Sequence, residues 1–171
     1  MAKKQAVAKS ARGSTPATDA LSEAGLPFTL HPYTHDPRAT SYGLEAAELL
    51  ELDPERVFKT LVVDLASDAR PRLAVGVVPV SGRLDLKAMA AALGAKKAVM
   101  ADPTLAARSS GYVVGGISPL GHRTPLPTVV DTSARTYETI YVSAGRRGLD
   151  VELSPDHLVS LLGATWAEIS R

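Results

Sequence analysis

Two β-rich runs lie almost back to back in this chain, and they constrain its fold more than any other feature. Val57 to Leu65 reads VFKTLVVDL, and Arg72 to Val80 reads RLAVGVVPV. Both are dominated by β-branched and other apolar side chains, which fit a pleated, half-buried surface. Ser67 to Pro71 between them has turn character. The pair therefore predicts an antiparallel hairpin.

The rest of the chain is punctuated by helix caps. Thr15-Pro16 reads as an N-cap followed by proline at the first helical position, and Gly25 as the stop. Pro27 to Tyr33 is strand-like but broken by Pro32, so an edge or irregular strand is expected. A polar loop, Thr34 to Ser41, leads to Tyr42–Leu52, which has helical apolar spacing. Asp85 is a cap for Leu86–Leu93, with Gly94 as its stop. Lys97 to Met100 is expected as a short strand. Asp102-Pro103 opens a short helix ending before Gly111. Thr128–Asp131, Thr139–Ser143 and Asp150–Leu153 are three more short strands. Ser154-Pro155 caps a helix that Gly163 ends, and a last short helix is expected over Thr165–Ile169, with Trp166. Strands and helices alternate irregularly, which predicts a mixed sheet with helices around it rather than a doubly wound parallel sheet. No GxGxxG follows a strand and there is no P-loop, so neither a dinucleotide fold nor an NTPase is supported.

At 171 residues the chain fits one domain with a core of its own. It has no cysteine, which excludes a disulfide scaffold, a Cys-based zinc site and a protein thiol nucleophile. No apolar run approaches the ~18–20 residues of a membrane span, and the N-terminus has no signal-like apolar core; a cytoplasmic protein is the expectation. The net charge of +1 hides an asymmetry. Residues 1–13 carry Lys3, Lys4, Lys9 and Arg12 and no acid, while the remainder is mildly acidic. The basic stretch is expected to be a disordered tail, either simply solvated or making a weak contact with RNA phosphates. An acidic body cannot bind nucleic acid by bulk charge, so any such binding must be local.

Five places carry possible chemistry. Lys59 begins an otherwise apolar strand, where an ammonium is a point charge for phosphate or carboxylate; the alternative is an edge lysine with its head in water. Gly111 to Gly121 holds Gly115, Gly116 and Ser118 in a run too glycine-rich for a simple hairpin. Such a run lets a ligand approach the backbone and lets N–H groups converge on an oxyanion; a bulged turn is the alternative. Asp150, beside a glycine turn, is placed to accept from an ammonium or a ribose hydroxyl, or is a turn aspartate. Tyr33 and Tyr42 flank the polar loop and are candidates to stack on a base. Arg146 and Arg147 sit in a turn where they touch phosphate or water. His31 and His35 have i, i+4 spacing, but Pro32 removes the helix that would align them, and no metal site is expected.

The stretches TPATDALSEAGLPFTLHPYTHDP, YGLEAAELLEL, VFKTLVVDL, GYVVGGISPLGHR and ETIYVSAGRRGLDVELSP together resemble the YbaK family. These are free-standing aminoacyl-tRNA editing proteins, related to the editing domain of bacterial prolyl-tRNA synthetase. The resemblance runs from about Thr15 to the last residue, giving a basic tail over 1–13 and an editing domain over 14–171.

The resemblance implies a single α/β domain with a curved, mixed, partly barrel-like sheet and peripheral helices. It implies deacylation of mischarged Cys-tRNA(Pro), with Cys-tRNA(Cys) as a further substrate, alongside prolyl-tRNA synthetase and with no cofactor. A hydrophobic site separates cysteine from proline poorly, so a second site must clear the error. The implied mechanism is substrate-assisted: the cysteinyl thiol attacks its own ester. Lys59 would hold the phosphate or sugar end of the terminal nucleotide, with Thr60 beside it. The backbone of Gly115 and Gly116 would bind the carbonyl or its oxyanion. Ser118 would line the aminoacyl pocket, Tyr33 and Tyr42 would flank the terminal adenosine, and Asp150 would add a polar contact. Two other readings stay open. One is hydrolytic editing of Ala-tRNA(Pro), and the other is a module that binds aminoacyl-tRNA ends without turnover.

Overall fold

The hairpin expected between the two apolar runs forms in full. In the computed structural model, which describes residues 14–66 and 68–171, β2 (Phe58–Asp64) and β3 (Leu73–Pro79) pair antiparallel along their whole length, Phe58 opposite Pro79 and Asp64 opposite Leu73. The basic stretch 1–13, and Ser67 in the expected turn, lie outside the described residues.

Four of the five α-helices among the described residues start where a capping side chain satisfies free N–H groups of the first turn. In α1 (Pro16–Glu23), Thr15 accepts from the Thr18 N–H. In α3 (Leu86–Ala92), Asp85 accepts from Lys87 and Ala88. In α4 (Pro103–Ser110), Asp102 accepts from Thr104 and Leu105. In α5 (Pro155–Leu162), Ser154 accepts from His157. The remaining helix, α2 (Tyr42–Leu49), follows Ser41, whose side chain makes no cap bond.

The strands form two sheets. β4 (Val99–Met100), β5 (Thr128–Asp131) and β8 (Thr165–Ala167) join the hairpin in the order β4-β2-β3-β5-β8. β3–β5 and β5–β8 are parallel and the other pairs antiparallel, so the sheet is mixed. β1 (Thr29–Pro32), β6 (Ile140–Arg146) and β7 (Leu149–Leu153) form an antiparallel sheet in the order β1-β7-β6. Proline-bearing β1 lies at an edge, as its composition demands. A bridge between Val57 and Tyr141 joins the two sheets without closing them into a barrel.

The larger sheet is covered on both faces. Phe58, Val62, Val75 and Val77 pack toward the smaller sheet, against Val142, Val151, Leu21 of α1 and Leu158 of α5. Val63, Ala74 and Val78 pack on the other side, with Met89 and Ala90 of α3. Two buried faces explain why its strands read as nearly continuous apolar runs.

One expected element is wrong. Thr165–Ile169 is not a helix; Thr165–Ala167 is strand β8, with Trp166 opposite Val130. The reason is non-local. The buried Asp131 carboxylate accepts from the N–H groups of Ile169 at 2.8 Å and Ser170 at 3.0 Å, and the open edge of β5 supplies a ladder. Tertiary pairing overrides a weak local preference. The same segment continues to Arg171, which exchanges two 2.8 Å backbone bonds with Arg83 and so fastens the turn at Gly82.

Candidate functional site

A cavity of about 300 Å³ opens where the two sheets meet. Its walls come from separate parts of the chain: Tyr33 after β1, Tyr42 and Gly43 at the start of α2, Lys59 and Thr60 on β2, Val114 and Gly115 in the glycine-rich run, and Ser143 and Asp150 on β6 and β7. Six of the residues singled out from sequence are thus brought together: Tyr33, Tyr42, Lys59, Thr60, Gly115 and Asp150. Gly116 and Ser118 stand behind the wall. The Gly116 N–H donates to the Val113 carbonyl at 2.9 Å. Ser118 is fully buried, and its hydroxyl accepts from the Leu120 N–H at 3.2 Å.

Lys59 is half-buried, and its ammonium donates to the Gly82 carbonyl at 2.9 Å. Burial, and then the charge of Arg83, hold its pKa below the ordinary lysine value. Beside it, the Thr60 hydroxyl is buried and has no hydrogen-bond partner. Thr60 lines the cavity, and a ligand polar group would reach this hydroxyl once the side chain turns.

Asp150 is 5% exposed. No hydrogen bond or cation among the described residues offsets its burial, which pushes the carboxyl up to about 7. Its charge in turn acts on Tyr33, whose phenol is pushed up to about 12 by burial first and by Asp150 second. Tyr33 therefore stays a neutral donor throughout the working pH range.

The tyrosine wall is built from the loop between β1 and α2. The Tyr33 N–H donates to the Gly148 carbonyl at 2.9 Å. At the other end Glu45, one turn into α2 and buried, accepts from the His35 ring at 2.7 Å and from the Asp36 N–H at 2.9 Å. Gly43 lets α2 sit close on β3, since a Cβ there would lie 2.3 Å from a Val80 methyl.

The glycine-rich run is braced from behind. The Tyr112 hydroxyl donates to the Leu120 carbonyl at 2.7 Å, and His122 Nε2 lies 2.6 Å from the Ser118 carbonyl. Gly115 is then presented to the cavity with φ of +90°, and the Tyr42 ring packs on it so closely that a Cβ would lie 2.6 Å from two ring carbons. Only glycine meets both demands. Over the same ring lies Arg147, its guanidinium 4.5 Å from the ring centre, donating also to the Val114 carbonyl.

Sequence reasoning missed Ser143, Gly43 and Glu45. Ser143 carries no sequence signal, being one polar residue in a strand. Glu45 carries one: it is an acid beside Ala46 and Ala47 on the face of α2 that is buried. His31 and His35 have separate partners, Glu152 and Glu45.

The cavity can hold a small polar ligand between an ammonium, an orphan hydroxyl and a carboxyl, with tyrosines at its side. Among its lining residues there is no histidine to activate a hydroxyl. Comparison with known proteins narrows the ligand. A family model described as "Aminoacyl-tRNA editing domain" matches residues 35–161. A protein of Enterococcus faecalis named "Putative Cys-tRNA(Pro)/Cys-tRNA(Cys) deacylase EbsC" is 40% identical over 124 residues, 72% of this chain and 74% of its own. The crystal structure of the hypothetical protein APE2540 superposes with a TM-score of 0.80 at 27% identity, covering 92% of this chain and all of that one. A structure described as "a putative trans-editing enzyme for prolyl tRNA synthetase" shares the fold with a TM-score of 0.78 at 23% identity, over 94% of this chain and 98% of the other.

Proposed function

This chain belongs to the aminoacyl-tRNA editing domain family, and from that premise we propose that it is a deacylase that clears mischarged Cys-tRNA(Pro). The observation that carries the reading is a cavity equipped to hold an aminoacyl ester but not to attack it. It offers charge and hydrogen bonds, yet no cysteine and no serine–histidine pair. A substrate that brings its own nucleophile needs only to be positioned.

In this reading Lys59 leaves the Gly82 carbonyl for the phosphate or sugar end of the terminal nucleotide. The Thr60 hydroxyl gains the partner it lacks. Tyr33 and Tyr42 flank the adenosine. Asp150 takes the α-ammonium, whose charge favours the ionised carboxylate and offsets the cost of burial. Backbone N–H groups of the glycine-rich run face the ester oxygen, with Gly115 in the wall and Gly116 setting the turn behind it. Ser118 braces that turn rather than touching the aminoacyl group.

The thiol sulfur then attacks the ester carbonyl carbon. A carbon–sulfur bond forms, the bond to the ribose oxygen breaks, and the thiol proton ends on that oxygen. The products are uncharged tRNA and a cyclic thiolactone, which water opens later. Prolyl-tRNA synthetase, the source of the error, is the partner beside which the protein would act, in the cytoplasm. No helix among the described residues is long and apolar enough to cross a membrane.

The test is a deacylation time course on one acceptor tRNA charged in turn with cysteine, alanine and serine. Rapid loss of cysteine alone, with thiolactone appearing, is the expected result. Serine keeps the shape but replaces the thiol, so loss of serine or alanine at a similar rate would mean a water nucleophile and hydrolytic editing. No turnover of any ester would leave a binding module.

A further inference from the structure

The cavity of about 300 Å³ is on the scale of one aminoacylated nucleoside, not of a strand. If the deacylase reading holds, the rest of the acceptor strand must leave through the mouth, and each further nucleotide brings a phosphate. One cation beside that opening is Arg147. It stands in the turn between β6 and β7, exposed to solvent. Its guanidinium lies over Tyr42 and bonds to the carbonyl of Val114, and both of those residues line the cavity. Among the described residues no carboxylate pairs with it, although the other close arginine–tyrosine contact in this half of the molecule, Arg56 over Tyr141, has Glu152 as its anion. One carbonyl uses a small part of a guanidinium's five donors.

We infer that Arg147 is the strand-binding residue of this site, pairing with a phosphate of the single-stranded acceptor end just outside the cavity. The guanidinium has the planar fork that fits phosphate. Tyr42 holds it beside the opening in the meantime, so little side-chain freedom is lost when the phosphate arrives. The placement also accounts for strand recognition by a chain whose body carries excess acid: one oriented cation at the exit replaces a broad basic surface. The inference rests on the deacylase reading for its ligand, but not on turnover.

The test measures binding of the trinucleotide CpCpA and of adenosine alone to the full chain, as wild type, Arg147→Ala and Arg147→Lys. Arg147→Ala should weaken CpCpA at least fivefold and leave adenosine within twofold. The slope of log affinity against log salt should become shallower by about 0.7, the value for one phosphate on a single strand. Arg147→Lys should restore the salt slope but only part of the affinity. Equal weakening of CpCpA and adenosine would overturn the inference, because Arg147 would then only shape the Tyr42 wall. Unchanged CpCpA binding would overturn it too. If wild type deacylates Cys-tRNA(Pro) while Arg147→Ala binds CpCpA normally, the inference falls and the deacylase reading stands. Wild type that neither deacylates nor binds CpCpA overturns both.

Discussion

Strand β7 carries two acids on one face, Asp150 and Glu152, and the protein treats them in opposite ways. Glu152 is fully engaged. It accepts from the Thr139 hydroxyl at 2.6 Å, meets His31 at 2.8 Å and Arg56 at 3.3 Å. Burial works to raise its pKa, but the Thr139 and His31 hydrogen bonds and the nearby cations more than offset this, and the carboxyl sits below the usual range. Asp150, two residues earlier, has burial alone and rises to about 7. An acid with partners holds sheets together. An acid left without them in a cavity costs stability, and strongly perturbed carboxyls of this kind cluster at functional sites.

The largest effect is expected from Asp150→Asn. It should lower Cys-tRNA(Pro) deacylation at least a hundredfold, read by single-turnover kinetics. The same change should stabilise the fold. The carboxyl is raised above its unfolded value, so its cost appears as pH climbs from the ordinary carboxylate range through about 7. By linkage that cost reaches ~4 kcal/mol at pH 8 and falls below ~1 kcal/mol at pH 4. Urea unfolding at both pH values checks it, and a destabilised Asn variant at pH 8 would make Asp150 a structural acid like Glu152. In wild type, kcat/KM should rise through a limb near pH 7 that the Asn variant lacks.

A smaller loss, at least tenfold, is expected from Lys59→Ala, with the circular dichroism spectrum unchanged; wild-type rates would remove Lys59 from the site. Glu152→Gln should reverse the pattern seen at Asp150. Activity should stay within threefold, while stability falls by ~1–3 kcal/mol at pH 7, as for a lost charged hydrogen bond. A depressed carboxyl stabilises above its unfolded pKa and loses that contribution as pH falls through the folded one. The gap to wild type should therefore close in acid, the opposite slope to Asp150. The smallest effect on turnover belongs to Glu45→Ala. It should free the Asp36 amide, seen as at least tenfold faster hydrogen exchange, and raise KM more than it lowers kcat. Glu45→Gln should restore protection, because an amide oxygen still accepts from Asp36.

What the sequence made legible is what local chemistry decides. Thr15, Asp85, Asp102 and Ser154 each cap the helix assigned to them, because a cap needs only its next three residues. The β2–β3 hairpin is likewise short-range. The positions of Lys59, Tyr33, Tyr42, Gly115 and Asp150 in one cavity were legible through their resemblance to a family, not through their spacing. The burial of single polar groups was not legible. Asp150 reads as a turn aspartate until two sheets close over it, and Ser118 reads as a pocket hydroxyl until its own turn takes it. Strand β8 failed because its register partners lie 36 residues upstream in β5.

The fastening at Gly82 has a consequence for how the molecule comes into being. The carbonyl that holds Lys59 belongs to a turn stitched by Arg83 to Arg171 and by Asp85 to Ile169. A ribosome makes those partners more than eighty residues after the turn itself, and a domain folds as a unit. Until they arrive, the turn that holds the lysine lacks its stitches. The anchoring of Lys59 to the Gly82 carbonyl therefore waits on the segment that pairs with β5, although the two lie far apart in the chain.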